Sequence, residues 1–140
     1  MFFVLDTDHF TALLAGVEPA ERIIRKATEL DAEFISTIIT AQEVIQGWLA
    51  AINRQPAGDA QVLGYGRFHS ALKGLEKLTL LPFNADAAAS FNSLQRLRLR
   101  TGSMDLKIAA ICLTHGVTLL TRNVRDFSGI PGLRLENWAD

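Results

Sequence analysis

The residues able to do chemistry are mostly carboxylates, and they stand at recurring kinds of position. Asp6 and Asp8 follow the apolar run Phe2 to Leu5; Glu43 and Asp105 lie in apolar helical stretches; Asn123 and Asp126 follow a second apolar run, Val117 to Thr121. Each acidic group is next to a strand end or a helix start. In an open parallel sheet, ligands gather beyond the carboxyl ends of the strands. Carboxylates collected there repel one another, and without a cation their pKa values rise. A hard divalent ion with oxygen ligands relieves that repulsion.

Each residue also has a purely structural reading. Asp6 or Asp8 can cap a helix and favour its positive dipole end. Thr40 and Glu43 have the spacing of a capping box. Glu43 nevertheless lies outside the broad apolar arc of Ala41, Val44, Ile45, Trp48, Leu49 and Ile52. Its neighbours Gly47 and Ala50 leave room for close approach. Asp105 is the most informative residue, because it shares a helical face with Ile108, Ala109 and Cys112. A carboxylate on such a face is costly unless compensated. The helix dipole returns only about 0.3–1 kcal/mol. A metal ion, or a partner such as Arg98, would make up the difference. Asn123 and Asp126 suit a turn, and Phe127 reads as the anchor of that loop.

Competing constellations are absent. Cys112 is the single cysteine and lies in an apolar helical pattern, so it reads as a buried, inert thiol. His9, His69 and His115 have no ligand-like spacing, and His115 reads as a helix C-terminal residue. No phosphate-binding glycine loop, dinucleotide fingerprint or nucleophile elbow occurs.

The positioning elements follow from the apolar patterning. Strands are expected at Phe2 to Leu5, Glu33 to Thr37, Thr79 to Phe83 and Val117 to Thr121, with a shorter fifth at Leu133 to Leu135. Helices are expected from Thr7 or Asp8 to about Ala15, from Pro19 to Leu30, and from Ala41, capped by Thr40, to about Ile52. Others are expected over about Gln61 to Leu78, from Ala85, capped by Asn84, to about Leu99, and from a Ser103 cap to His115. Gly64, Gly66 and Gly74 weaken the helix over 61–78. Short apolar strands separated by helices imply a mostly parallel sheet covered on both faces.

The 140 residues, 49% hydrophobic and 21% charged, suit one domain over 1–140. The lone cysteine suits a reducing compartment. No secretory leader or membrane span is expected, so a cytoplasmic location is. The net charge of −1 argues against extensive nucleic-acid contact. Arg96, Arg98 and Arg100, with Lys107, Arg122 and Arg125, could still hold a short stretch of phosphate backbone.

Taken together, these segments resemble a family. "FFVLDTD", "STIITAQEVIQG", "TGSMDLKIAAICLTHGVTLLTRNVRDF" and "IPGLRLENW" are similar to successive segments of PIN-domain ribonucleases, more narrowly of VapC-type toxins from bacterial toxin–antitoxin pairs. The resemblance covers nearly the whole chain. It implies a three-layer α/β/α sandwich with a mostly parallel sheet of four to five strands. It implies RNA phosphodiester hydrolysis with Mg²⁺ or Mn²⁺, held by Asp6, Glu43 and Asp105. It also implies a homodimer and a neutralising VapB-type antitoxin. Many relatives carry an acidic residue where Asn123 falls, so Asp126 is a substitute candidate for that place. Asp8 has a supporting role, and Arg98 is a candidate contact to substrate phosphate. A catalytically weak scaffold binding RNA or protein is the alternative. A receiver-like phosphoacceptor domain is disfavoured, since no acceptor Asp ends a central strand.

Overall fold

The computed structural model describes residues 1–140. It contains five strands, β1 (Phe2–Leu5), β2 (Glu33–Thr37), β3 (Leu80–Leu81), β4 (Thr118–Leu120) and β5 (Leu135–Glu136). The helices are α1 (Thr7–Ala15), α2 (Ala20–Leu30), α3 (Ile38–Asn53), α4 (Val62–Glu76), α5 (Ala85–Arg96), α6 (Ser103–His115) and the single turn α7 (Val124–Phe127). A short 3₁₀ turn, Asp59–Gln61, leads into α4.

The strands form one sheet in the order β3-β2-β1-β4-β5, with every pairing parallel. Alternation along β1 divides the core in two. Val4 packs with Ile35, Leu119, Leu94, Ile108 and Ile111 under α5 and α6. Phe3 and Leu5 face the other way, with Phe10, Ile23, Val44 and Leu75 from α1 to α4. The result is the expected three-layer α/β/α sandwich, with five strands. Cys112 is 1% exposed, and burial raises its thiol pKa well above the ordinary range. No helix is long and apolar enough to cross a membrane.

Several boundaries differ from expectation. Thr40 is not the cap of α3. Thr37, still in β2, accepts the Thr40 N–H at 3.0 Å, and the helix begins at Ile38 without an intervening loop. The Thr40–Glu43 capping box therefore does not exist, and Glu43 sits in the second turn. Asp6, rather than Thr7 or Asp8, caps α1. Gly102, not Ser103, precedes α6. β3 shrinks to two residues beside β2 at the sheet edge, and α5 ends at Arg96, short of Leu99. The polar turn after β4 closes into α7.

The glycines of α4 do not break it, and two of them, Gly64 and Gly74, stand at close contacts with α3 and α1. A Cβ at Gly64 would stand 3.0 Å from Ile52 Cγ1 on α3. Gly64 thus lets two helices approach closely, which outweighs its poor helix propensity of about 1 kcal/mol.

Candidate metal centre

The chain reverses its direction of travel across the sheet at β1, with β2 on one side and β4 on the other. A crevice opens at such a switch point, beyond the carboxyl ends of the strands. Asp6 stands there as the first residue after β1, and its N–H still pairs with Leu120 O of β4 at 3.0 Å. α3 starts directly from β2, so Glu43 lies one turn above the same edge. α6 ends just before β4 begins, so its first turn, with Asp105, also lies at this edge.

Asp6 is 6% exposed and held at both oxygens. Oδ1 accepts the Thr7 N–H at 2.8 Å, and Oδ2 accepts the Thr121 hydroxyl at 2.8 Å. Burial raises its pKa to about 6, against the lowering effect of those two bonds, and the charges of Asp8 and Asp105 add to the rise. Glu43 is half-buried and accepts the Thr7 hydroxyl at 3.3 Å. Its pKa is also raised to about 6, first by burial, then by Asp6 and Asp105. Thr7 therefore links the two carboxylates, through its N–H to one and its hydroxyl to the other.

Asp105 has no hydrogen-bond or ion-pair partner from the chain. Its pKa is raised by burial and then by Asp126 and Asp8. Asp6, Glu43 and Asp105 thus lie within electrostatic reach of one another, with no cationic side chain paired to any of them. Arg98 does not fill that role. It lies beyond α5 with φ 52, exposed, and forms no ion pair.

The remaining candidates are engaged elsewhere. Asp8 bonds His9 Nδ1 at 2.6 Å and accepts the Arg122 N–H at 3.1 Å. Asn123 donates its side-chain amide to Asp126 Oδ2 at 2.9 Å, and Thr101 donates to Asp126 O at 2.8 Å. Phe127 is fully buried and anchors this loop. Thr7, Thr121 and His9 were not singled out as site residues in the sequence. The only available signal was adjacency: Thr7 lies between Asp6 and Asp8, and Thr121 ends an apolar strand.

The donor set suits a hard divalent cation in chemistry: oxygen ligands, like charges, and acidity weakened by mutual repulsion. Its side chains are not closed into a ligand shell, because no three His, Cys, Asp or Glu groups are posed together to hold a metal ion. Beside Glu43 runs an open groove of about 220 Å³, lined by Thr7, Thr11, Gly47 and Trp48. Nothing lies within 4 Å of where a Gly47 Cβ would stand, so the approach to this face is open.

Residues 3–133 match the PIN domain family, and the chain belongs to it. Among curated relatives it is 41% identical over 61 residues to Ribonuclease VapC1 of Rickettsia felis, covering 41% of this chain and 46% of that protein. It is 29% identical over 69 residues to the tRNA(fMet)-specific endonuclease VapC of Salmonella typhimurium, covering 46% and 52%. The chain thus spans about half the length of the curated relatives it matches. In fold it is similar to VapBC2 of Rickettsia felis bound to a promoter DNA fragment, with a TM-score of 0.75, 20% identity and 99% of each chain covered. It is likewise similar to VapBC-1 of nontypeable Haemophilus influenzae, with a TM-score of 0.75, 21% identity and 100% of each chain covered.

Proposed function

We propose that this chain is a single PIN domain acting as a metal-dependent endoribonuclease toxin that hydrolyses RNA phosphodiester bonds. The observation that carries the reading is the cluster of Asp6, Glu43 and Asp105 at the switch point of a PIN fold, mutually repelling and unpaired with any cation. Solved structures with the same fold include a toxin–antitoxin complex from Klebsiella pneumoniae and VapBC-5, of a family of toxin–antitoxin systems, from Mycobacterium tuberculosis. A VapB-type antitoxin, a homodimer and a cytoplasmic setting belong to the same proposal.

Asp6, Glu43 and Asp105 would hold Mg²⁺ or Mn²⁺. When bound, the ion supplies a Lewis acid and positive charge beside the scissile phosphate. The chain's own part is positioning. Asp6 cannot swing, because both its oxygens are hydrogen-bonded, yet each keeps acceptor capacity. Glu43, held by the Thr7 hydroxyl, and Asp105, with no partner of its own, would complete the set. Asp126 sits nearest in effect to Asp105 and serves as the supporting carboxylate in place of Asn123. Asp8 serves as a brace. Arg98, Lys107, Arg122 and Arg125 supply positive charge for the RNA backbone around an acidic centre that would otherwise repel it.

Purified protein is expected to cleave RNA with Mg²⁺ or Mn²⁺ and not with EDTA. Asp6→Asn and Asp105→Asn should each abolish cutting while the thermal melt stays cooperative. Cleavage retained by both folded variants would discard the assigned centre. The second reading, a PIN scaffold that binds RNA or protein without cutting, is favoured by the open ligand set and by Asn123. Calorimetry showing no Mn²⁺ uptake, with RNA bound but intact, would select it.

A further inference from the structure

His9 is completely buried between two polar partners. The Trp138 backbone N–H donates to its Nε2 at 3.1 Å, so that nitrogen carries no proton. The ring proton is therefore on Nδ1, which donates to Asp8 Oδ1 at 2.6 Å. A second proton on Nε2 would set two donors against each other. The other Asp8 oxygen accepts the Arg122 N–H at 3.1 Å and stands 3.4 Å from the Thr121 hydroxyl, which donates to Asp6 at 2.8 Å. One polar chain thus runs from Trp138 through His9 and Asp8 to the end of β4, and from there to Asp6.

Its far end is well anchored. Trp138 is 1% exposed, with its ring centroid 4.6 Å from that of Phe3. Arg22 donates to Ala139 O at 2.6 Å, and Arg122 pairs with Asp140 at 2.8 Å. Both ends of the relay are therefore fixed to the sheet or its helices.

We propose that His9 is a positioning residue for the acidic centre. Held as the Nδ1–H tautomer, it turns Asp8 away from metal binding and makes it a brace for the end of β4. That brace sets the Thr121 hydroxyl against Asp6. Groups that orient the ligands of a metal site fix their rotamers in this way, and losing one costs roughly 10–100-fold in affinity or activity. The catalytic consequence rests on the nuclease reading above, while the tautomer and the brace do not.

Nitrogen-15 NMR of the full chain reads the tautomer directly, and Nδ1 should carry the proton. An Nε2–H tautomer overturns the proposal, and this reading needs no variant to fold. Two substitutions then separate the arms. His9→Asn places an amide nitrogen where Nδ1 lies and keeps the Asp8 arm. His9→Gln places an amide oxygen where Nε2 lies and keeps the Trp138 arm. The Arg122 backbone amide resonance is expected to stay in place in His9→Asn and to move in His9→Gln, with Trp138 doing the reverse. With RNA as substrate, kcat should fall about tenfold in His9→Gln and stay close to the parent in His9→Asn, with KM unchanged in both. Equal displacement of Arg122 in both variants, or equal kcat, overturns the positioning role. If the parent cuts no RNA, the nuclease reading fails and the resonances alone decide the role of His9.

Discussion

Asp6 concentrates the electrostatic cost of the centre. Its folded pKa, about 6, lies above the ordinary value of 3.8, because burial disfavours its charged form. Between about pH 4 and 6 the folded state therefore holds a proton that the unfolded chain has already released. By linkage, the stability of the metal-free protein is greatest below about pH 4 for this group and is lost as pH rises through about 6. The loss is about 3 kcal/mol for Asp6, and Glu43 contributes in the same direction. Denaturant melts in EDTA should show the midpoint falling over that window, with a smaller slope in Asp6→Asn. Saturating Mn²⁺ at neutral pH should recover the loss. A parent slope equal to that of Asp6→Asn would contradict this account. Asp105 has no hydrogen-bond donor to stabilise its charge and no cation beside it, so it belongs with these two rather than with Asp8, which is bonded to His9 and Arg122.

At the scale of elements, the direct passage from β2 into α3 has the largest consequence for function. Thr37 ends the strand and caps the helix at once, so Glu43 is released from any capping duty and faces the edge of the sheet. α4 shows the opposite balance, where close packing overrides local preference. Gly64 meets the buried Ile52, whereas nothing lies within 4 Å of a Cβ at Gly66. Gly64→Ala should therefore lower stability by about 1–3 kcal/mol through overpacking. Gly66→Ala should raise it by about 0.5–1 kcal/mol through helix propensity. Urea melts of the two variants check the pair, and the same sign in both would refute the packing argument.

For the whole molecule, a net charge of −1 leaves little general attraction for nucleic acid. Any grip on RNA is then local. Four basic side chains, Arg98, Lys107, Arg125 and the Asp140-paired Arg122, are the candidates. Single-stranded binding falls with salt at a slope of about 0.7 per phosphate neutralised, so log K against log salt should be no steeper than about −3. Fluorescence anisotropy of a non-cleavable RNA across a salt series measures it. A much steeper slope would require an extended basic surface that these four residues do not provide.

Much of this molecule is determined locally. The apolar alternation of Phe2 to Leu5 places Val4 on one face and Phe3 and Leu5 on the other. Asn84, Gly16 and Gly116 stop or start helices where their own chemistry dictates. The positions of Asp6 after a strand and of Asp105 in the first turn of a helix are equally local properties, and so is the family resemblance they support. The cap of α3 expected at Thr40 is wrong, because that reading puts a short loop between strand and helix, whereas the helix starts at Ile38 directly after Thr37. Strand order and the partners of each carboxylate were decided by tertiary packing. Thr121 reaches Asp6 across 115 residues, and Trp138 reaches His9 across 129. Hydrogen-bonding capacity is written in a residue's type. Which donor finds which acceptor depends on how two buried sheet faces are covered at once, and that is a property of the summed core rather than of any segment.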